Sequence, residues 1–189
     1  MDKFQDIFRI PSARAAWWNY DSPAIYFITI CSAYRECLFG SIANDEVQLS
    51  VYGIIVLEEW EKSFNMRSEL FCDGFVIMPN HIHAILQIIP NEENGLQGDT
   101  SGKSIESEPT DSPNNHSVAY RPPKSISSFV AGFKSAATTK INDFRGMPGT
   151  AVWQTRFHDH IIRDEIEYLK ISRYIQSNPK NWKEDKYFG

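Results

Sequence analysis

Two apolar runs, residues 69–78 and 81–89, are separated by only Pro79 and Asn80. Two residues cannot carry a crossover connection, so runs joined this way pair as an antiparallel hairpin. Pro-Asn is itself a turn signal. The rest of the chain is read around that hairpin. Residues 24–32 (AIYFITICS) are β-branched and aromatic, as in a strand buried on both faces. Residues 37–42 and 46–49 are short apolar pieces that suit a second hairpin. Ser50 is placed to cap a helix running to Phe64, on the spacing of Ile54, Leu57, Glu58 and Glu61. A second helix is expected over 125–144, with Ile126, Phe129, Val130, Phe133, Ala137 and Ile141 on one broad face. Residues 156–163 suit a strand, and Asp164 caps a last helix that Pro179 must end. The order strand, helix, two strands, helix, strand, helix predicts an α+β fold. Its expected form is a ferredoxin-like antiparallel sheet with helices on one face and a further C-terminal helix.

The 189 residues suit one domain, 1–189, large enough to bury a core without disulfide or metal staples. Within it, residues 91–119 are rich in Ser, Asn, Glu, Gly and Pro without apolar period, and read as a disordered acidic insertion. That stretch holds Glu92, Glu93, Asp99, Glu106, Glu108 and Asp111 against Lys103, which accounts for the whole formal charge of −5. The acidic balance therefore does not exclude nucleic acid as a partner. The following segment carries Arg121, Lys124, Lys134, Lys140 and Arg145 against Asp143, and is basic. Three cysteines without CxxC spacing exclude a disulfide framework and a thiolate zinc site. No run of apolar residues is long enough to span a membrane, and the N-terminus lacks the apolar core of a signal peptide. A cytoplasmic protein with no membrane partner is expected.

Two short motifs carry chemistry. In a strand, His81 and His83 point to one face and can offer two imidazoles to one divalent ion. Two nitrogen ligands leave room for oxygen ligands and suit Mg²⁺, Mn²⁺ or Zn²⁺ acting as a Lewis acid. The plain alternative is two histidines flanking a buried isoleucine at a strand start. On the last helix, Tyr174 and Asn178 are four residues apart and share a face. Tyrosine can act as a covalent nucleophile, and the Asn178 amide oxygen is a hard metal ligand. The plain alternative is an aromatic at the core edge and an amide that closes the helix before Pro179. Tyr168 is the rival nucleophile, on another face and expected to pack inward.

Together these residues resemble the HUH tyrosine transposase family, in its REP-associated tyrosine transposase branch. The resemblance runs through YFITI (26–30) with Arg35 and Leu38-Phe39-Gly40, then FVIMPNHIH (75–83) and FKS (133–135). It continues through VWQTRFHDHIIR (152–163) and RYIQSNP (173–179). It implies a ferredoxin-like or RRM-like sheet and cleavage of single-stranded DNA through a 5′-phosphotyrosine link. The family's metal histidines map onto His81 and His83, its nucleophile onto Tyr174, and its polar metal ligand onto Asn178, where several relatives carry Gln. The implied cofactor is Mg²⁺ or Mn²⁺. The implied partner is single-stranded DNA with a hairpin, handled by a monomer or a homodimer. Lys124, Lys134, Lys140 and Arg145 are candidates for backbone phosphates, with a solvated helix face as the plain alternative. Arg14 with Trp17, Trp18 and Tyr20 suits stacking on unpaired bases. Trp153 and Arg156 suit either DNA contact or packing. His158 and His160 are candidates to receive the tyrosine proton. Two other classes remain open: a non-catalytic ferredoxin-like nucleic-acid-binding module, and a metal-dependent phosphodiesterase that uses water.

Overall fold

The structure, a computed structural model, describes residues 24–89 and 125–188, together with two short paired strands, β1 (Lys3–Phe4) and β2 (Ile7–Phe8). The expectations placed on Arg14, Trp17, Lys124 and the 91–119 insertion lie outside the described residues. The main sheet is built from β3 (Ile25–Cys31), β6 (Leu70–Met78), β7 (His81–Ile88) and β8 (His158–Ile162). Their order is β6-β7-β3-β8 and every neighbouring pair is antiparallel. The first and third strands of the set thus lie in the middle, which is the ferredoxin-like arrangement. A separate hairpin, β4 (Gly40–Ala43) and β5 (Glu46–Leu49), turns through Asn44 and Asp45, both at positive φ. Two left-handed residues give the primed turn that matches strand twist, and Asn and Asp tolerate that conformation best after glycine.

Two helices cover one face of the sheet. α1 (Val51–Asn65) starts at Ser50, whose hydroxyl accepts from the Gly53 amide. α2 (Ile126–Arg145) starts at Ser125 with a reciprocal cap to Ser128, and ends at Gly146 in the left-handed conformation. Strand periodicity puts Tyr26, Ile28, Ile30, Ile82, Ala84 and Leu86 on this face, where they meet Val56, Trp60, Ile126, Phe129, Val130, Phe133, Ala137 and Ile141. The apolar face expected for α2 is the buried one. The face expected for α1 is not: Val56, Glu59, Trp60 and Ser63 point inward, and Ile54 is half exposed. The cause is Trp60, whose indole stacks on Phe75 and meets Phe129 and Phe133 edge-on, so the bulkiest side chain decides which stripe turns in.

The opposite face takes the third helix, α3 (Glu165–Ser177), capped by Asp164 and leading directly into Asn178 and Pro179. Ile175, Ile171 and Tyr168 pack there against Ile85, Ile162, Ile25, Phe27 and Val76. This smaller cluster holds the last helix over β7 and sets where its next turn arrives. Tyr168 turns out to be packed by its ring but not fully buried, its hydroxyl donating to the Asp73 carboxylate. Among the described residues no helix is long and apolar enough to cross a membrane.

Candidate active site

β7 begins immediately after the Pro79-Asn80 turn, so its first and third residues, His81 and His83, stand side by side on the α3 face. Both are fully buried and their rings are 4.4 Å apart at the centroids. The second nitrogen of each ring is held. Asn80 Nδ2 donates to the main-chain carbonyls of Arg35 (3.1 Å) and Tyr187 (2.8 Å). That leaves Asn80 Oδ1 as the atom facing His81 Nδ1 at 2.9 Å. An amide oxygen only accepts, so His81 carries its proton on Nδ1 and presents a bare lone pair at Nε2. For His83 the partner of Nδ1 is the Thr29 hydroxyl at 2.8 Å, contributed by the paired position on β3.

α3 and the segment after it close the site. The Tyr174 hydroxyl lies 3.1 Å from His83 Nε2 and donates to Asp185 Oδ2 at 2.8 Å. Asn178, one turn later and also buried, donates its amide to the same Asp185 oxygen at 2.6 Å. A carboxylate accepts only, so Asn178 must turn its Oδ1 the other way. Asn178 Oδ1 and His81 Nε2 are both buried and both lack a hydrogen-bond partner. Two lone-pair atoms stranded in a dry site are costly unless something positive sits between them. The ligand atoms of His81, His83 and Asp185 lie within 4.8 Å of one another. Nitrogen and hard oxygen donors, with the histidines braced from behind, fit a divalent ion.

The electrostatics agree with that fit. Burial pushes His81 down to about 4, against the pull of the Asp185 charge. Burial, followed by the neighbouring His81, pushes His83 down to about 2. Both rings are therefore neutral and ligand-ready near pH 7. Burial also raises the Tyr174 phenol well above its ordinary value, helped by its hydrogen bond to Asp185. Burial works to raise the Asp185 carboxyl, but hydrogen bonds from the Tyr187 amide, Asn178 and Tyr174 outweigh it and hold it below the usual carboxylate value. As it stands, the site stabilises a protonated phenol beside an ionised carboxylate. A cation nearby would favour the ionised form of the phenol.

Of the residues singled out in the sequence, His81, His83, Tyr174 and Asn178 meet at this one place. The others are elsewhere. Lys134 donates its ammonium to the main-chain carbonyls of Gln154 and Arg156, at 2.8 and 3.2 Å, and so clasps the segment leading into β8. Lys140 pairs with Glu59 between α2 and α1. Arg156 is exposed, whereas Trp153 is core, stacked near Phe39 and Phe133. His160 bonds the Glu167 carboxylate at 2.7 Å, and His158 lies exposed on β8. The phenol's partners are instead His83 and Asp185. Asp185, Asn80, Thr29 and Tyr187 are site residues that sequence reasoning missed. Asn80 had a signal, as the residue before the first histidine. Asp185 had none, because the chain between Pro179 and Asp185 has no period that says where it turns.

No family model matches the chain. An uncharacterised protein of Haemophilus influenzae is 36% identical over 180 residues, spanning 94% of this chain and 92% of its own. Among solved structures, a REP-associated tyrosine transposase bound to a REP hairpin superimposes with a TM-score of 0.54 and 18% identity. The match covers 89% of this chain and 74% of that one, and at such identity the likeness is one of fold. The chain therefore belongs to one family with the Haemophilus influenzae protein, and it has the fold of the REP-associated tyrosine transposase.

Proposed function

We propose that the protein is a metal-dependent single-stranded DNA transposase or endonuclease that cuts and rejoins strands through Tyr174. The observation that carries this reading is the position of the Tyr174 hydroxyl, against His83 and Asp185 and beside the buried His81, whose Nε2 has no hydrogen-bond partner. His81 and His83 would hold Mg²⁺ or Mn²⁺, with oxygen from Asn178, which leaves Asp185 to take the phenol proton. Such an ion supplies charge neutralisation at the scissile phosphate.

The chain's own part can be stated atom by atom. Tyr174 donates its proton to Asp185 Oδ2, the acceptor it already faces. The phenolic oxygen attacks phosphorus in line, forming a P–O bond to tyrosine. The bond from phosphorus to the 3′ oxygen breaks, and that oxygen leaves as a hydroxyl, taking the proton that Asp185 received from Tyr174. The product is a 5′-phosphotyrosine with the bond energy retained, so a 3′-hydroxyl can attack it later and rejoin strands. Water must be kept out for that reversal. The buried Trp182 and Tyr187 rings roof His81, with centroids at 5.9 and 4.6 Å. Since the transposase of like fold is bound to a REP hairpin, the proposed substrate is a DNA hairpin beside a short single-stranded tract.

The test is a hairpin oligonucleotide labelled at both ends, incubated with Mn²⁺ or EDTA and run on a denaturing gel. A metal-dependent protein–DNA adduct that disappears in Tyr174→Phe is expected. Cleavage that persists in Tyr174→Phe without an adduct would assign the site to water-based phosphodiester hydrolysis. Binding with neither product would make the protein a non-catalytic nucleic-acid-binding module.

A further inference from the structure

Beside the active site lies an open cleft of about 400 Å³, bounded by β3, β8, the turn at residues 33–36 and the segment through Tyr187. That volume is within the range of small-ligand sites, roughly 300–1,000 Å³. Its floor is continuous with the catalytic wall. Phe27 is 5.1 Å from the His83 ring and 6.2 Å from the Tyr174 ring, and Thr29 is the residue that braces His83. Its rim is basic: Arg35 sits over the Tyr187 ring at 5.6 Å and Lys186 at 4.8 Å. His158 and His160 line it from β8, and Asp159 is the acid among the lining residues.

The turn that supplies Arg35 is strained. Tyr34 and Arg35 both adopt left-handed backbone, with φ of 55° and 58°. Bulky residues rarely accept that conformation, and two in succession persist only where their surroundings hold them. The holding groups are visible: Ser32 Oγ donates to the Glu36 carbonyl at 2.8 Å, and Asn80 Nδ2 donates to the Arg35 carbonyl. The result is a Tyr34 side chain left 88% exposed and an Arg35 guanidinium turned over the Tyr187 ring at the cleft. Asn80 also sets the tautomer of His81, so one side chain fixes both the cleft wall and the metal-facing histidine.

We propose that this cleft is a nucleotide subsite, holding the single-stranded nucleotide next to the phosphate cleaved by Tyr174. Arg35 and Lys186 take its backbone phosphate, and the half-buried Phe27 ring in the cleft floor offers a face for its base. An aromatic and cations together at a groove edge are what sequence-tolerant single-strand binding uses. The inference rests on the proposed function for the identity of the neighbouring phosphate, but its own content is the binding of a nucleotide here.

The experiment measures fluorescence anisotropy of a short fluorescein-labelled single-stranded oligonucleotide over a salt series. It compares wild type with the double variant Arg35→Gln/Lys186→Gln and with Arg35→Lys. Mn²⁺ affinity, measured by calorimetry on each protein, reports that the histidine site is still folded. The double variant is expected to bind at least about tenfold more weakly. Its salt slope should fall by roughly 0.7, the value for one phosphate neutralised on a single strand. Arg35→Lys, which keeps the charge but not the fork of donors, should recover part of the loss. Wild-type adduct formation with unchanged affinity and slope in the double variant would sink the subsite and leave the transesterase reading standing. Arg35-dependent binding in a wild type that forms no Tyr174 adduct would do the reverse. No binding by wild type would overturn both.

Discussion

A single asparagine shows how little of this site is made by the residues that would do its chemistry. Asn80 touches no reacting atom in the proposed mechanism. Its amide nitrogen is fully used by two backbone carbonyls, and for that reason its oxygen dictates that His81 holds its proton on Nδ1. Asn80→Ala removes that instruction and also frees the Arg35 and Tyr187 carbonyls. Groups that brace a metal histidine are typically worth 10–100-fold in metal affinity. The expected result is Mn²⁺ binding weakened by about that factor in calorimetry, against near-complete loss in His81→Ala. Asn80→Asp, which keeps an acceptor for Nδ1, should fall between the two. Equal affinities in Asn80→Ala and wild type would mean that the tautomer is set some other way.

At the scale of elements, the site depends on joints between them. α1 begins within contact of the chain just before β4. Ser50 donates both its amide, to the Phe39 carbonyl, and its hydroxyl, to the Leu38 carbonyl. Gly53 completes the joint, since a Cβ there would lie 2.1 Å from the Phe39 carbonyl oxygen, which is backbone and cannot step aside. Phe39 in turn donates its amide to the Pro79 carbonyl, in the turn that launches β7. Gly53→Ala is therefore expected to destabilise the protein by about 2 kcal/mol or more, although alanine is the better helix former. Urea unfolding measures this directly. A stabilised Gly53→Ala variant would show that helix propensity outweighs the clash.

At the scale of the whole molecule, the buried histidines make stability depend on pH. Their folded values, about 4 for His81 and about 2 for His83, lie below the ordinary value of 6.5. The unfolded chain therefore binds more protons than the folded one once the pH falls below about 6.5. Stability is fully present above that point and is lost as pH falls, until His81 protonates in the folded state near 4. With both groups contributing, the slope approaches about 3 kcal/mol per pH unit at most, at 1.36 kcal/mol per proton. Asp185, held below its usual value, acts in the same direction at lower pH. The metal-free protein should show a clear drop in urea midpoint between pH 7.5 and pH 5, and His81→Ala/His83→Leu should flatten it. An equal midpoint at both pH values in the metal-free wild type would mean the rings are not buried neutral.

Much of this architecture is legible in local pattern. Period-two alternation places His81 and His83 on one face, and the Pro79-Asn80 break says where that strand begins. Helical spacing puts Tyr174 and Asn178 together, and Ser50, Ser125 and Asp164 announce their helices. These readings succeed because propensity, capping and periodicity are decided by neighbours a few residues away. The inward stripe of α1 is not legible locally, because Trp60 finds its partners on another helix and another strand. Lys134, a cation with helical spacing, is clasped onto carbonyls about twenty residues further along the chain. Local pattern carries the order of elements, and the resemblance carries the four residues at the centre. Packing sets the company they keep: Asp185 on the phenol, Tyr187 over the histidines, Arg35 beside the cleft. Asn80 and Tyr187 are 107 positions apart, and His83 and Tyr174 are 91 apart. Contacts at such separation are set by how whole elements pack, and no local sum over residues contains them.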